Sequence, residues 1–138
     1  MYFSLLSADE IELVPGGNPE EMRWTAVDGA RVRDKLAFDH AELLKAAVGR
    51  LRSKIEYTSL PAFLMPSEFT LGELQRVYEI TLGRALEKKA FRTRMLSTDL
   101  LEPTPRYKEG PNRPAQLFRL THKRRPVFFT RPFSPRGD

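Results

Sequence analysis

A chain of 138 residues allows at most two small domains, each near the lower limit of what buries a stable core. With 41% hydrophobic and 30% charged residues it reads as folded rather than disordered; no apolar run approaches the ~18 residues of a membrane span, and with no cysteine there are no disulfides or thiolate metal sites. The net charge of +5 is unevenly spread: residues 1–65 hold eight Lys/Arg against ten Asp/Glu, and residues 66–138 hold fifteen against eight, so a positive field suited to phosphate lies on the second half.

Residues 1–28 read as strands and turns. Tyr2–Leu6 is a short apolar run, Ile11–Val14 alternates, Pro15–Pro19 is a turn by composition, and Arg23–Val27 suits a strand whose Trp24 belongs in a core. The opening MYFSLLSADEIE has no basic lead of a secretory signal, which together with the absence of cysteine fits a cytoplasmic setting. Residues 29–37 form a charged connector. Asp39 then caps a long helix, with Glu42 as its capping-box partner and Phe38 stapled to Leu43; Leu44, Ala47, Val48, Leu51 and Ile55 make its buried stripe. Asp39, His40 and Glu42 could suggest a metal or acid–base cluster, but a helix cap beside a histidine accounts for them. Pro61 and Pro66 bracket Ala62–Met65, a short apolar plug between the two halves.

The stretch from Phe69 to Ser97 organises the rest. Thr70 and Glu73 are spaced as a capping box, and Phe69 and Leu74 as a hydrophobic staple. Leu71, Leu74, Val77, Tyr78 and Leu82 recur at helical spacing, and Gly83 suits the left-handed residue that ends such a helix. A second helix begins near Glu87 and runs about three turns. Phe91, Met95 and Thr98 fall on one side of it; Lys88, Lys89, Arg92 and Thr93 share another, with Leu96 among them. This is a helix-turn-helix with a positive second helix, whose arginine and lysines suit phosphate and base-edge contact.

Leu100–Glu102 and Ala115–Leu120 read as two short strands around the turn-rich PTPRYKEGPNRP, a hairpin with Arg106, Lys108 and Arg113 at its tip. A hairpin after a recognition helix is the order of a winged helix, and a basic wing can reach the DNA backbone or minor groove. The tail mixes Lys123, Arg124 and Arg125 with Phe128, Phe129 and Phe133; it is either a basic arm or packs Val127–Phe129 as an extra strand.

The run FTLGELQRVYEITLGRALEKKAFRTRMLSTDLLEPT, followed by NRPAQLFRL, resembles the C-terminal winged helix of the Nudix-related transcriptional regulators. EMRWTAVD and LAFDHAELLKAAVGRLRSKIEYTSLPAFLMP are similar to the last strands and final helix of the Nudix domain in those proteins. The resemblance implies an α+β chain: a partial Nudix-like sheet and helix over residues 1–60, a winged helix-turn-helix over 61–122, and a basic tail over 123–138. It implies a dimeric DNA-binding repressor that reads double-stranded DNA with the second helix, where the family's basic-aromatic-Arg segment maps onto Lys88, Lys89, Phe91, Arg92 and Arg94. Ala90 departs from the asparagine common at that position.

The Nudix box, with its glycine, spaced glutamates and Arg-Glu-x-x-Glu-Glu core, is absent from these residues; Glu20 and Glu21 follow no arginine–glutamate pair. The front of the sheet and most of the nucleotide pocket are therefore expected N-terminal to Met1. No catalytic residue, metal or cofactor is expected in this chain, and a nucleotide effector such as ADP-ribose only where the missing half is supplied. The alternatives are a piece of a Nudix hydrolase of the ADP-ribose pyrophosphatase kind and a winged-helix module that binds protein.

Overall fold

The computed structural model describes residues 6–7, 11–12, 14, 24–28, 31–32, 35–122 and 125–137. The chain divides into two compact units, residues 1–51 and 52–138.

In the first unit, β1 (Val27–Asp28) and β2 (Arg31–Val32) pair antiparallel, Val27 opposite Val32 and Asp28 opposite Arg31. The charged connector read from the sequence therefore begins as the return strand of a hairpin. Of the described part of the expected strand, Trp24–Val27, only Val27 is in a ladder; Ile11, Glu12 and Val14 are in no strand, and Tyr2–Leu5, Leu13 and Arg23 lie outside the described residues. Trp24, expected in a core, is 62% exposed. A two-stranded ribbon supplies no second layer to cover an indole.

Helix α1 (His40–Glu56) follows. The expected staple of Phe38 on Leu43 is absent: Phe38 has a φ of 53°, is 96% exposed and sets its ring edge-on to that of His40, 6.2 Å away, and Leu43 is exposed too. Leu44, Ala47, Val48 and Leu51 are half-buried, whereas Ile55, in the last turn, is fully buried in the second unit.

The second unit begins inside α1. Thr58 closes that helix by donating its hydroxyl to the Lys54 carbonyl at 2.7 Å. The chain then enters a 3-10 turn over Leu60–Leu64, where Pro61 stands at the helix start that tolerates its missing N–H. Pro61 and Ala62 are buried, so the plug expected between two halves is part of this unit's own core, against α2.

Strand β3 (Phe69–Thr70) leads straight into α2 (Leu71–Leu82). The capping box forms: the Glu73 N–H donates to Thr70 Oγ1 at 3.1 Å, and the Thr70 N–H donates to Glu73 Oε2 at 2.9 Å. Gly83 ends α2 at φ 72°, and a Cβ there would come within 2.5 Å of the Arg52 guanidinium, whose Nε donates to the Thr81 carbonyl. Helix α3 spans Lys88–Leu96.

The wing is β4 (Leu101–Lys108) and β5 (Ala115–Leu120), with β3 added on the other side in the order β3-β5-β4. Strand β4 is longer than composition suggests and absorbs Pro103 and Pro105, both expected in the loop. It is an edge strand, and its register with β5 shifts between Pro103 and Tyr107, so the prolines cost the sheet little. Arg106 and Lys108 thus lie on a strand, not at a loop tip. Phe69, placed in the sequence as a staple, is also paired opposite Phe118.

At the centre are Tyr78, Phe91 and Phe133. Their ring centroids lie 5.3 Å (Tyr78–Phe91), 4.7 Å (Tyr78–Phe133) and 5.7 Å (Phe91–Phe133) apart. The Tyr78 hydroxyl donates to the Thr58 carbonyl at 2.7 Å, and burial pushes its ionisation far up, so it remains a neutral donor. The tail packs, as one of its two readings had it, but not as an extra strand: residues 126–136 lie against the domain through Phe133 and through isolated bridges of Phe128 to Thr58 and Pro135 to Leu86.

Candidate nucleic-acid interface

Helix α3 is held at its start by several independent contacts. The Glu87 carboxylate accepts from the Lys89 N–H at 3.0 Å and the Ala90 N–H at 2.6 Å, and these bonds, Ala90's foremost, hold its pKa below the usual carboxylate value. A negative cap also opposes the positive end of the helix dipole. In the turn before it, the Leu86 N–H donates to Glu79 Oε2 at 2.9 Å and Gln75 Nε2 donates to the Leu86 carbonyl at 3.1 Å. The angle between α2 and α3 is therefore set by side chains of α2 as well as by packing.

Phe91 is 1% and Met95 0% exposed, which seats one face of α3 on the core. Lys88, Lys89, Arg92 and Thr93 lie on the open side, all exposed. Among the described residues none of these three cations has an ion-pair partner. Leu96 is half exposed beside them. The structure thus gathers four of the residues read from the sequence on one accessible helical surface.

The other four are differently placed. Arg94 turns from that surface to the tail: its guanidinium lies 5.0 Å from the Phe129 ring centroid and 4.6 Å from that of Phe133, and its Nη1 donates to the Arg131 carbonyl at 2.9 Å. Arg106 pairs with Glu68 at 2.9 Å, and Lys108 with the capping carboxylate of Glu73. That lysine lowers the Glu73 pKa by hydrogen bonding, ahead of the Thr70 N–H and against the effect of burial. Arg113 is exposed in the loop between β4 and β5 and has no ion pair among the described residues. The sequence reading missed Thr130 and Arg131, which line a groove beside α3. The spacing of Phe129 and Phe133, two aromatics in a cationic tail, was the available signal.

Among the described residues no three or more of His, Asp and Glu are placed to hold a metal ion, and no helix is long and apolar enough to cross a membrane.

A capped helix pair, its second helix seated on an aromatic core and followed by a two-stranded ribbon, makes residues 52–138 a winged helix-turn-helix domain. Residues 61–120 match the family described as the NrtR DNA-binding winged helix domain, and the chain is similar to the Nudix-related transcriptional regulators. Over 101 residues it is 51% identical to the "ADPR responsive transcriptional repressor NtrR" of Acinetobacter baylyi, covering 73% of this chain and 40% of that protein. Shewanella oneidensis NrtR in a crystal structure with a 27mer DNA superposes with a TM-score of 0.61 at 37% identity, over 72% of this chain and 46% of that one. Its crystal structure described without DNA gives 0.59 at 38% identity, over 72% and 45%. The chain spans less than half the length of these relatives.

Proposed function

We propose that this chain is the DNA-binding part of a Nudix-related transcriptional repressor acting in the cytoplasm, with no hydrolytic step of its own. Helix α3 enters the major groove, where Lys88, Lys89 and Arg92 meet phosphates or base edges and Thr93 adds a hydroxyl; Arg92 has the fork geometry for a guanine. Arg113 at the wing tip, with Arg106 and Lys108 on the wing strand, meets the adjacent backbone. One winged helix reads one half-site, so the working form is a homodimer. Residues 1–60 are the end of a Nudix-like domain, and an ADP-ribose-type effector acts only where the rest of that domain is supplied.

The observation that carries this reading is the division of α3, with Phe91 and Met95 buried on one side and, on the other, exposed cations that have no ion-pair partner among the described residues. The test is an anisotropy titration on a duplex that the protein selects from a randomised pool, repeated at several salt concentrations. Log K should fall steeply with log salt, and Lys89→Ala with Arg92→Ala should flatten the slope by about one unit if Arg92 reads a base and about two if both contact phosphate, at about 0.9 per lost phosphate contact. Binding indifferent to salt, or to the double substitution, overturns the reading.

A further inference from the structure

We propose that the C-terminal strap, residues 126–136, forms with α3 a groove that takes one sugar-phosphate strand of the duplex, with Arg131 contacting phosphate and Arg94 positioning the strap. This rests on the DNA-binding reading and adds a second binding wall to it.

The strap is attached through its backbone at both ends. The Ser59 N–H donates to the Val127 carbonyl at 3.0 Å, the Val127 N–H to Ser59 Oγ at 2.7 Å, and the Phe129 N–H to the Tyr57 carbonyl at 2.8 Å. Further on, the Glu87 N–H donates to the Ser134 carbonyl at 3.1 Å and the Arg136 N–H to the Ala85 carbonyl at 3.0 Å. Between these anchors Phe133 is buried at 2% exposure, and Arg94 lies against both Phe129 and Phe133. The strap therefore runs antiparallel to α3, with Ser134 beside the helix start and the Arg131 backbone at the Arg94 guanidinium.

Between strap and helix lies an open groove lined by Lys89, Thr93 and Ser97 on one side and Phe128, Thr130 and Arg131 on the other. Lys89 and Thr93 also belong to the exposed face of α3, so the groove continues that face instead of forming a separate site. Its cations and hydroxyls suit an anionic chain. The carboxylate of Glu87 stands at the Ser134 end, where it is engaged by the helix N–H groups, and leaves the Thr93–Ser97 stretch and Arg131 for phosphate. Phe128, exposed at the far end, offers an apolar surface to a deoxyribose. An open, elongated channel fits a polymer backbone better than a small anion, which has nothing there to enclose it.

The test compares variants of the whole 138-residue chain on the selected duplex and on a random-sequence duplex. Arg131→Ala should reduce the salt slope by about one unit and weaken both duplexes alike, as loss of a phosphate contact does. Arg131→Lys should restore the slope, and Arg136→Ala, off the groove, should leave it unchanged. Hydrogen exchange separates contact from positioning: Arg131→Ala should keep the Phe129 amide protected, whereas Arg94→Ala should lose that protection together with affinity. If Arg131→Ala changes nothing while Lys89→Ala with Arg92→Ala flattens the slope, the groove proposal falls and the helix reading stands. If neither changes the slope, the DNA reading itself falls. Lost affinity in Arg94→Ala with the Phe129 amide still protected makes Arg94 a direct contact and overturns its positioning role. Should Arg94→Ala fail to fold, the exposed Arg131 substitution decides alone.

Discussion

Helix α3 and the wing carry similar numbers of cations but hold them differently. On α3, Lys88, Lys89 and Arg92 have no ion-pair partner among the described residues, whereas on the wing Arg106 and Lys108 are matched with Glu68 and Glu73. A cation already beside a carboxylate must exchange that partner for a phosphate, so its net gain on binding is smaller than its charge suggests. The wing pairs are also mechanical: Glu73 caps α2 and holds Lys108 of β4, linking the start of the helix pair to the wing. On the proposed DNA-binding reading, local charge density therefore overstates what the wing would contribute to affinity relative to α3.

Removing the seat of α3 should have the largest effect. Phe91→Ala deletes a ring enclosed by Tyr78 and Phe133 and should cost about 3–5 kcal/mol, read by denaturant unfolding. A loss under about 1 kcal/mol would mean that α3 is not held by this core. Next, Thr70→Ala removes one half of the capping box and should cost about 1 kcal/mol. That cost should appear in unfolding, and the wing should loosen with it in hydrogen exchange. Third, the wing cations should rank by their partners: Arg113→Ala should flatten the salt slope by about one unit, and Lys108→Ala by less. Equal slopes for the two would remove the distinction between paired and open cations.

The smallest effect should come from acid. The carboxyls of Glu73 and Glu87 are held below their ordinary range by hydrogen bonds, so what they contribute to stability is complete above that range and is lost as pH falls through their depressed values. Thermal melting followed from neutral pH into the range below about 4 should show a decline that Glu73→Gln makes shallower. Glutamine retains a capping acceptor while releasing Lys108, so the same variant should bind the selected duplex slightly more tightly.

Much of the helix pair was legible because its determinants are local. Thr70 with Glu73, Gly83 at the end of α2, and a start near Glu87 are short-range patterns, and the structure bears out each. The segregation of Phe91 and Met95 from Lys88, Lys89, Arg92 and Thr93 follows from helical period alone. Phe38 was misread because a staple needs a backbone that folds the ring back, and spacing does not report a positive φ. The prolines of β4 were misread as loop because only the sheet order shows that this strand lies at the edge.

The amino-acid order by itself determined where the helices start and stop and which side of α3 is apolar, which depend on near neighbours along the chain, and that the second half is positive, which needs only composition. Only the tertiary structure decided which cations are open, since the partners of Arg106, Lys108 and Arg94 lie tens of residues away along the chain. It likewise decided the fate of the tail, whose hydrogen bonds to Tyr57 and Ser59 join segments about seventy residues apart. Pairings at that separation depend on the folded path of the backbone, which no local pattern encodes.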